Sequence, residues 1–212
     1  MLRSVTKEIY YLMQTIGDLS VGQAKVLDFG EDSTILVAIA PDDGLYKGGQ
    51  FIFRIRISKS YPLYAPDVAC LTPIYHPNIE NVLAFGEREA DVCIDLLDDW
   101  ESTYNLEHVV QAILFLFFQP NLEDPLSPMF EPRMDEIAFA ENVRKSLEGG
   151  SVEGIKFPRN LLGEGCADDV TRPLQETKSV AVLANGKVAG DIPQSEGVYS
   201  RKTCSSRERH KG

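Results

Sequence analysis

Apolar residues recur at helical spacing through the start of the chain, with Leu2, Val5, Ile9, Leu12 and Met13 on one side and Lys7 and Glu8 on the other. This pattern predicts a first amphipathic helix over residues 2 to 13. From Lys25 to Ile57 the pattern shortens to β-rich runs, AKVLDF, STILVAIA and GQFIFRIRI, punctuated by Pro41-Asp42-Asp43-Gly44 and Gly48-Gly49. Such runs between turn residues predict an antiparallel meander. A fourth run, Asp67 to Leu71, follows Tyr61-Pro62-Leu63-Tyr64-Ala65-Pro66, whose prolines lack the amide donors that a strand needs. The chain is then irregular to about residue 105. Leu106 to Phe118 is apolar almost throughout and is stopped by Pro120, so it predicts a central helix. Arg133 to Glu148 carries apolar residues at three and four spacing and ends at Gly149-Gly150, which predicts a last helix.

The order helix, four strands, long irregular segment, helix, helix is an α+β pattern, with helices on one face of an antiparallel sheet. Beyond Pro158 the periodicity fades into Gly, Ser, Thr and charge, ending in SRKTCSSRERHKG. The organisation expected is one domain over 1–158 and a flexible tail over 159–212, with the apolar run Val180 to Val188 as a candidate docking segment. At 212 residues and 43% apolar content, the chain can build one full core.

Net charge removes several function classes. Thirty-two acidic residues against 21 basic give −11, which repels a nucleic-acid backbone and an anionic membrane surface alike. No stretch resembles a signal peptide or a spanning helix, so a cytoplasmic or nuclear location is expected. Cys70, Cys93, Cys166 and Cys204 have no CxxC spacing, and His76, His108 and His210 are scattered, so no metal site is expected. Each cysteine is either core filler or a nucleophile. Cys70, between Ala69 and Leu71 in a strand, reads as core, whereas Cys93 stands among Asp91, Asp95, Asp98 and Asp99 and reads as exposed.

The irregular segment carries the chemistry: YPLYAPDVACLTPIYHPNI, then Cys93, Trp100 and Pro120-Asn121-Leu122-Glu123-Asp124-Pro125-Leu126. In that order these residues resemble the ubiquitin-conjugating enzymes over about residues 1 to 158. FLFFQPNLEDPLSP and FAENVRKSLEGG look most like the neddylating branch, whose members pass a ubiquitin-like modifier to cullins.

The resemblance implies an acyltransferase with the ubiquitin-conjugating fold. Cys93 would accept the modifier's C-terminal acyl group as a thioester from the activating enzyme, and a target lysine would then attack it. Asn78 would be the amide that donates to the thioester oxyanion or holds the loop around it, the alternative being that His76, Pro77 and Asn78 only tie a turn. Asp124 would orient and deprotonate the lysine, its plainer reading being a turn-former before Pro125. Leu126 would pack beneath the gate to the site, and Trp100 would be a core aromatic that anchors the loop after Cys93.

By the same analogy, Arg3 and Lys7 on the first helix, Leu63 in one loop and Ser102 and Thr103 in another would meet the activating enzyme or a RING-type ligase. The conjugating step would need no cofactor, since ATP is consumed by the activating enzyme. Ubiquitin in place of the Nedd8-type modifier, or a non-catalytic scaffold of the same fold, are the competing readings.

Several features depart from the family. Fourteen residues separate Asn78 from Cys93, more than similar enzymes place there, so the loop 80–91 is expanded and could shift the thiol relative to Asn78. Six residues separate Cys93 from Trp100, about one fewer than usual. The region is acidic, with Glu80, Glu87, Glu89, Asp91, Asp95, Asp98, Asp99 and Glu101 against Arg88 alone; such charges disfavour a thiolate and attract basic partners. Neddylating enzymes carry an extension ahead of the first helix, whereas the helical pattern here begins almost at Met1, and Ser102 stands where many relatives have proline.

Overall fold

In the computed structural model, which describes residues 5–30, 32–86, 89–131 and 134–162, the chain opens with α1 (Val5–Leu19). Ile9, Leu12 and Ile16 form its buried stripe. The helix runs six residues past the predicted end at Met13, because Ile16 continues the buried stripe by one more turn. It stops where Gly22, at φ 83°, bonds its amide back to the Gly17 carbonyl at 2.7 Å.

Strands β1 (Ala24–Phe29), β2 (Thr34–Ile39), β3 (Phe51–Arg56) and β4 (Asp67–Cys70) make the expected antiparallel meander. A fifth strand joins it, correcting the expected four: β5 (Ala90–Asp91) pairs with β4 through Ala69 and Cys70. Two residues are too few to show a two-residue period, which is why the sequence hid it. Beyond the strand ladder, a side chain ties the approach to β5 to the sheet. Arg54, on the outer face of β3, grips Glu89 at 2.6 Å and Asp67 at 2.9 Å.

Phe51, Phe53 and Ile55 alternate inward from β3 and meet the central helix α4 (Leu106–Phe118). Phe117 is the pivot, with ring centroids 4.9 Å from Phe51, 5.4 Å from Tyr46 and 6.0 Å from Phe53. Between β4 and α4 the segment expected to be irregular also contains two one-turn helices, α2 (Val82–Phe85) and α3 (Asp95–Asp98). The last helix, α5 (Glu136–Leu147), starts three residues later than predicted because the Asp135 carboxylate caps the Ala138 amide.

A hairpin missed by the sequence reading follows, β6 (Ser151–Val152) and β7 (Ile155–Lys156). Its turn places Glu153 and Gly154 both at positive φ, the twist that two-residue hairpins favour. The chain then remains bonded to the domain past the expected boundary at Pro158. Asn160 exchanges two side-chain hydrogen bonds with the Gln50 backbone, and the Leu162 amide donates to Gly48. The expected tail beyond residue 162, including the Val180–Val188 run, lies outside the described residues, as does Arg3.

Glu8 joins three elements. Its carboxylate accepts the Tyr61 hydroxyl and the first helical amide of α4, Leu106, at 2.8 Å. A negative group there satisfies an orphan donor and faces the positive end of the helix dipole. Replacing Glu8 with Ala should therefore lower the unfolding free energy by about 2 kcal/mol, and Gln by less. Urea denaturation followed by circular dichroism reads both; an unshifted midpoint for E8A would show that the carboxylate does not anchor α4.

Candidate active site

The turn Tyr75-His76-Pro77-Asn78 is built from inside the core. The Tyr46 hydroxyl donates to the Tyr75 carbonyl at 2.9 Å, and the His76 ring stacks on Tyr46 at 5.2 Å. His76 Nδ1 accepts the Asn78 amide at 3.0 Å, which leaves the proton on Nε2 to be donated to the Leu116 carbonyl, also at 3.0 Å. Burial pushes the imidazole down to about pKa 4, with the bond to Leu116 opposing the shift. His76 is thus a neutral strut between the turn and α4.

Asn78 is 2% exposed and is engaged on both sides of its amide. Its Oδ1 accepts the Asn121 amide at 2.8 Å, and its Nδ2 donates to the Asn121 carbonyl at 3.3 Å. Asn121 in turn uses its own Oδ1 to accept the backbone amides of Glu123 and Asp124. A relay of side-chain to backbone bonds therefore runs from the core through Asn78 to Asn121 and on to Asp124. Asp124 is exposed, and Pro125 behind it is buried.

The expanded loop does not displace Cys93 from Asn78. Ile79 and Val92 form a β-bridge, the Glu80 amide bonds to Asp91 at 3.0 Å, and the Cys93 amide donates to the Asn78 carbonyl at 2.8 Å. These bonds close the base of the loop, and the added length is taken up between Asn81 and Glu89, where Asn81 caps α2. Cys93 is half-buried and lines the groove described below. Cys70, by contrast, is a buried free thiol raised to about pKa 12 by burial, the core residue it was expected to be.

Cys93, Asn78, Asn121 and Asp124 line one groove of about 510 Å³, bounded on the far side by Gln111, Phe115 and Gln119. Sequence reasoning brought out three of these residues and missed Asn121 and the groove wall. The wall had a signal: polar His108, Gln111 and Gln119 interrupt an otherwise apolar run on one helical face. Asp95 and Asp124 are the charged groups of the lining.

The remaining expected site residues fall outside this groove. Leu126 is half-buried and is not part of the lining. Trp100 is not a core residue but a clamp between two loops: its ring is half-buried, Nε1 donates to the Pro62 carbonyl at 2.9 Å, and Tyr61 packs on it at 5.9 Å. The clamp links the loop bearing exposed Leu63 to that bearing exposed Ser102 and Thr103. Lys7 is exposed on α1. Among the described residues no group of three His, Cys, Asp or Glu side chains could hold a metal, and no helix is long and apolar enough to cross a membrane.

Residues 23–146 match the family model described as ubiquitin-conjugating enzyme. The chain is 43% identical over 122 residues to the NEDD8-conjugating enzyme ubc12 of Schizosaccharomyces pombe, covering 56% of this chain and 65% of that protein. It is 33% identical over 157 residues to the Nedd8-conjugating enzyme UbcE2M of Drosophila melanogaster, covering 71% of this chain and 83% of that one. Among solved structures it is similar to S. cerevisiae Ubc12, with TM-score 0.54, 30% identity, and coverage of 66% of this chain and 77% of that one.

The buried imidazole gives a signed pH dependence. His76 binds a proton near pH 6.5 when unfolded and only near pH 4 when folded. The unfolded state therefore binds more protons in that window, and stability should fall as pH drops through it, by roughly 3 kcal/mol in all. Denaturation midpoints measured from pH 7 to 4 check this against His76→Gln. Equal losses in both proteins would remove His76 as the cause.

Proposed function

The chain belongs to the ubiquitin-conjugating enzyme family, and on that premise we propose that it accepts a NEDD8-type modifier as a thioester on Cys93 and transfers it to a target lysine. The observation that carries this reading is the grouping of Cys93, Asn78 and Asp124 around one groove, with the Cys93 and Asn78 backbones bonded directly. The choice of modifier is supported by relatives named as NEDD8-conjugating enzymes.

In the loading step the Cys93 thiolate attacks the thioester held by the activating enzyme. The new sulfur–carbon bond forms as the enzyme's sulfur leaves as a thiolate. The groove beside α4, about 510 Å³ in volume and lined by Cys93, would receive the modifier's C-terminal peptide. In the transfer step a lysine amine attacks the carbonyl, the Cys93 thiolate leaves, and an amide is formed. Asp124 is at the groove edge to orient the amine and take its proton.

Asn78 acts first as a loop holder. Its amide is committed to Asn121, which positions Asp124, and this favours the positioning half of the two roles open to it. Lys7 and the surface joined by Trp100, with Leu63, Ser102 and Thr103, are candidate contacts for the activating enzyme and a RING-type ligase, and a cullin is the candidate target. The conjugating step uses no cofactor of its own, and a cytoplasmic or nuclear setting fits this pathway.

The protein incubated with NEDD8, its activating enzyme and ATP should give a thiol-sensitive adduct on a non-reducing gel. The adduct should be missing for Cys93→Ala and become a thiol-resistant ester for Cys93→Ser. Asp124→Ala should load within about threefold of wild type yet discharge to free lysine about 100-fold more slowly. Loading with ubiquitin alone would overturn the modifier assignment, and loading with neither would favour the scaffold reading.

A further inference from the structure

A second groove, of about 610 Å³, shares no lining residue with that of Cys93. Its walls are the end of α4 at Phe118 and the start of α5, and Leu45 and Leu122 reach it from two loops. Phe139 and Val143 turn α5 toward the core, which leaves Ile137 and Glu141, four apart, together on another face of the helix. Leu45 and Phe118 are exposed, and Ile137 is 71% exposed. Singly such residues are ordinary, but three around one concavity mark a surface that folding has left uncovered.

Charge defines what covers it. The described lining contains Glu136 and Glu141 with neither Lys nor Arg, and among the described residues neither carboxylate is in an ion pair. Exposed Asp42 and Asp43 precede Leu45, and exposed Glu123 follows Leu122. Arg144, one turn beyond Glu141, is held by Glu148 at 2.8 Å. The last turn of α4 has no basic residue to meet the negative end of its dipole. A second copy of the chain would set these carboxylates against their own images, since a two-fold contact pairs a patch with itself. No strand edge borders the groove, so an extended peptide finds no ladder of backbone partners there, whereas a helix laid across it needs only side-chain contacts.

We propose that the groove between the end of α4 and the start of α5 is a docking surface for a basic amphipathic helix of a partner protein, with its apolar side chains on Leu45, Phe118 and Ile137 and its cations beside Glu136 and Glu141. The place of this surface in the reaction rests on the conjugating reading above. Gln119 and Asn121 line the Cys93 groove while Pro120 and Leu122, alternating with them, line this one. A target helix seated here therefore lies on the same short segment that borders the reacting sulfur, and a lysine beyond its end meets the thioester at raised effective concentration.

The probes are a synthetic helix-forming peptide of about 14 residues, with leucine at i, i+4 and i+7 and lysine beside them, and its copy with glutamate for lysine. Titrated into the isotope-labelled full chain at low salt, the lysine peptide should shift the amide resonances of Leu45, Phe118, Ile137 and Glu141 and bind about tenfold more tightly than the glutamate peptide. Ile137→Ser should weaken it about tenfold at any salt, and Glu136→Lys with Glu141→Lys about tenfold at low salt and little at high salt. These side chains are exposed, so the variants keep the fold. Equal binding of both peptides, shifts confined to residues around Cys93, or the same shifts on concentrating the protein alone would overturn the proposal. With the charged enzyme, a lysine appended to the peptide should accept modifier with a KM about tenfold lower in wild type than in Ile137→Ser, at equal kcat. An equal KM would remove the presenting role. Because the titration needs no activating enzyme, failure of charging in every variant would count against the function and leave the docking surface standing.

Discussion

The two hydrogen bonds between the Asn78 side chain and the Asn121 backbone hold the candidate site together. The Asn78 amide is buried, and leaving it unsatisfied there costs on the order of 1–3 kcal/mol, so the pairing resists alternatives. Upstream it is fixed by His76, whose two ring nitrogens are used in opposite senses, one accepting from the turn and the other donating to α4. Downstream it sets Asn121, whose carboxamide oxygen arranges the approach to Asp124. The carboxylate at the groove edge thus owes its place to a chain of neutral contacts rooted in the aromatic core at Phe117 and Tyr46.

Charge is distributed differently from these neutral contacts. The basic residue most deeply enclosed among the described residues, Arg54, lies on the outer face of the sheet, gripping Asp67 and Glu89. Among the described residues of the groove lining the carboxylates are Asp95 and Asp124, with neither Lys nor Arg beside them. Carboxylates beside a sulfur disfavour its thiolate and attract cationic groups. Attraction and suppression therefore come from the same side chains.

Long periodic segments were legible in the sequence and short ones were not. α4 and the β1–β4 runs announced themselves by repeated apolar spacing, and Cys93, Asn78 and Asp124 by the ordered motifs around them. β5 has two residues, α2 and α3 one turn each, and the β6–β7 hairpin four strand residues, all too short for a period to register. Asn121 escaped because its part is played by backbone groups as well as its side chain, and backbone partners leave no residue-type signature. Trp100 was read as buried because large aromatics usually are; it is instead a bridge between loops through its indole N–H.

The closed base of the expanded loop has one more consequence. Asn78 to Cys93 and Glu80 to Asp91 are bonded across it, so the Cys93 backbone is held from the base of the loop rather than by the chain between Asn81 and Glu89. Loop-closure cost rises by only about 0.6 kcal/mol for each doubling of length. This stretch is therefore a permissive graft point: an epitope, a spectroscopic reporter or a lineage-specific insertion can be accommodated there, and evolution can vary its recognition chemistry without renegotiating catalysis.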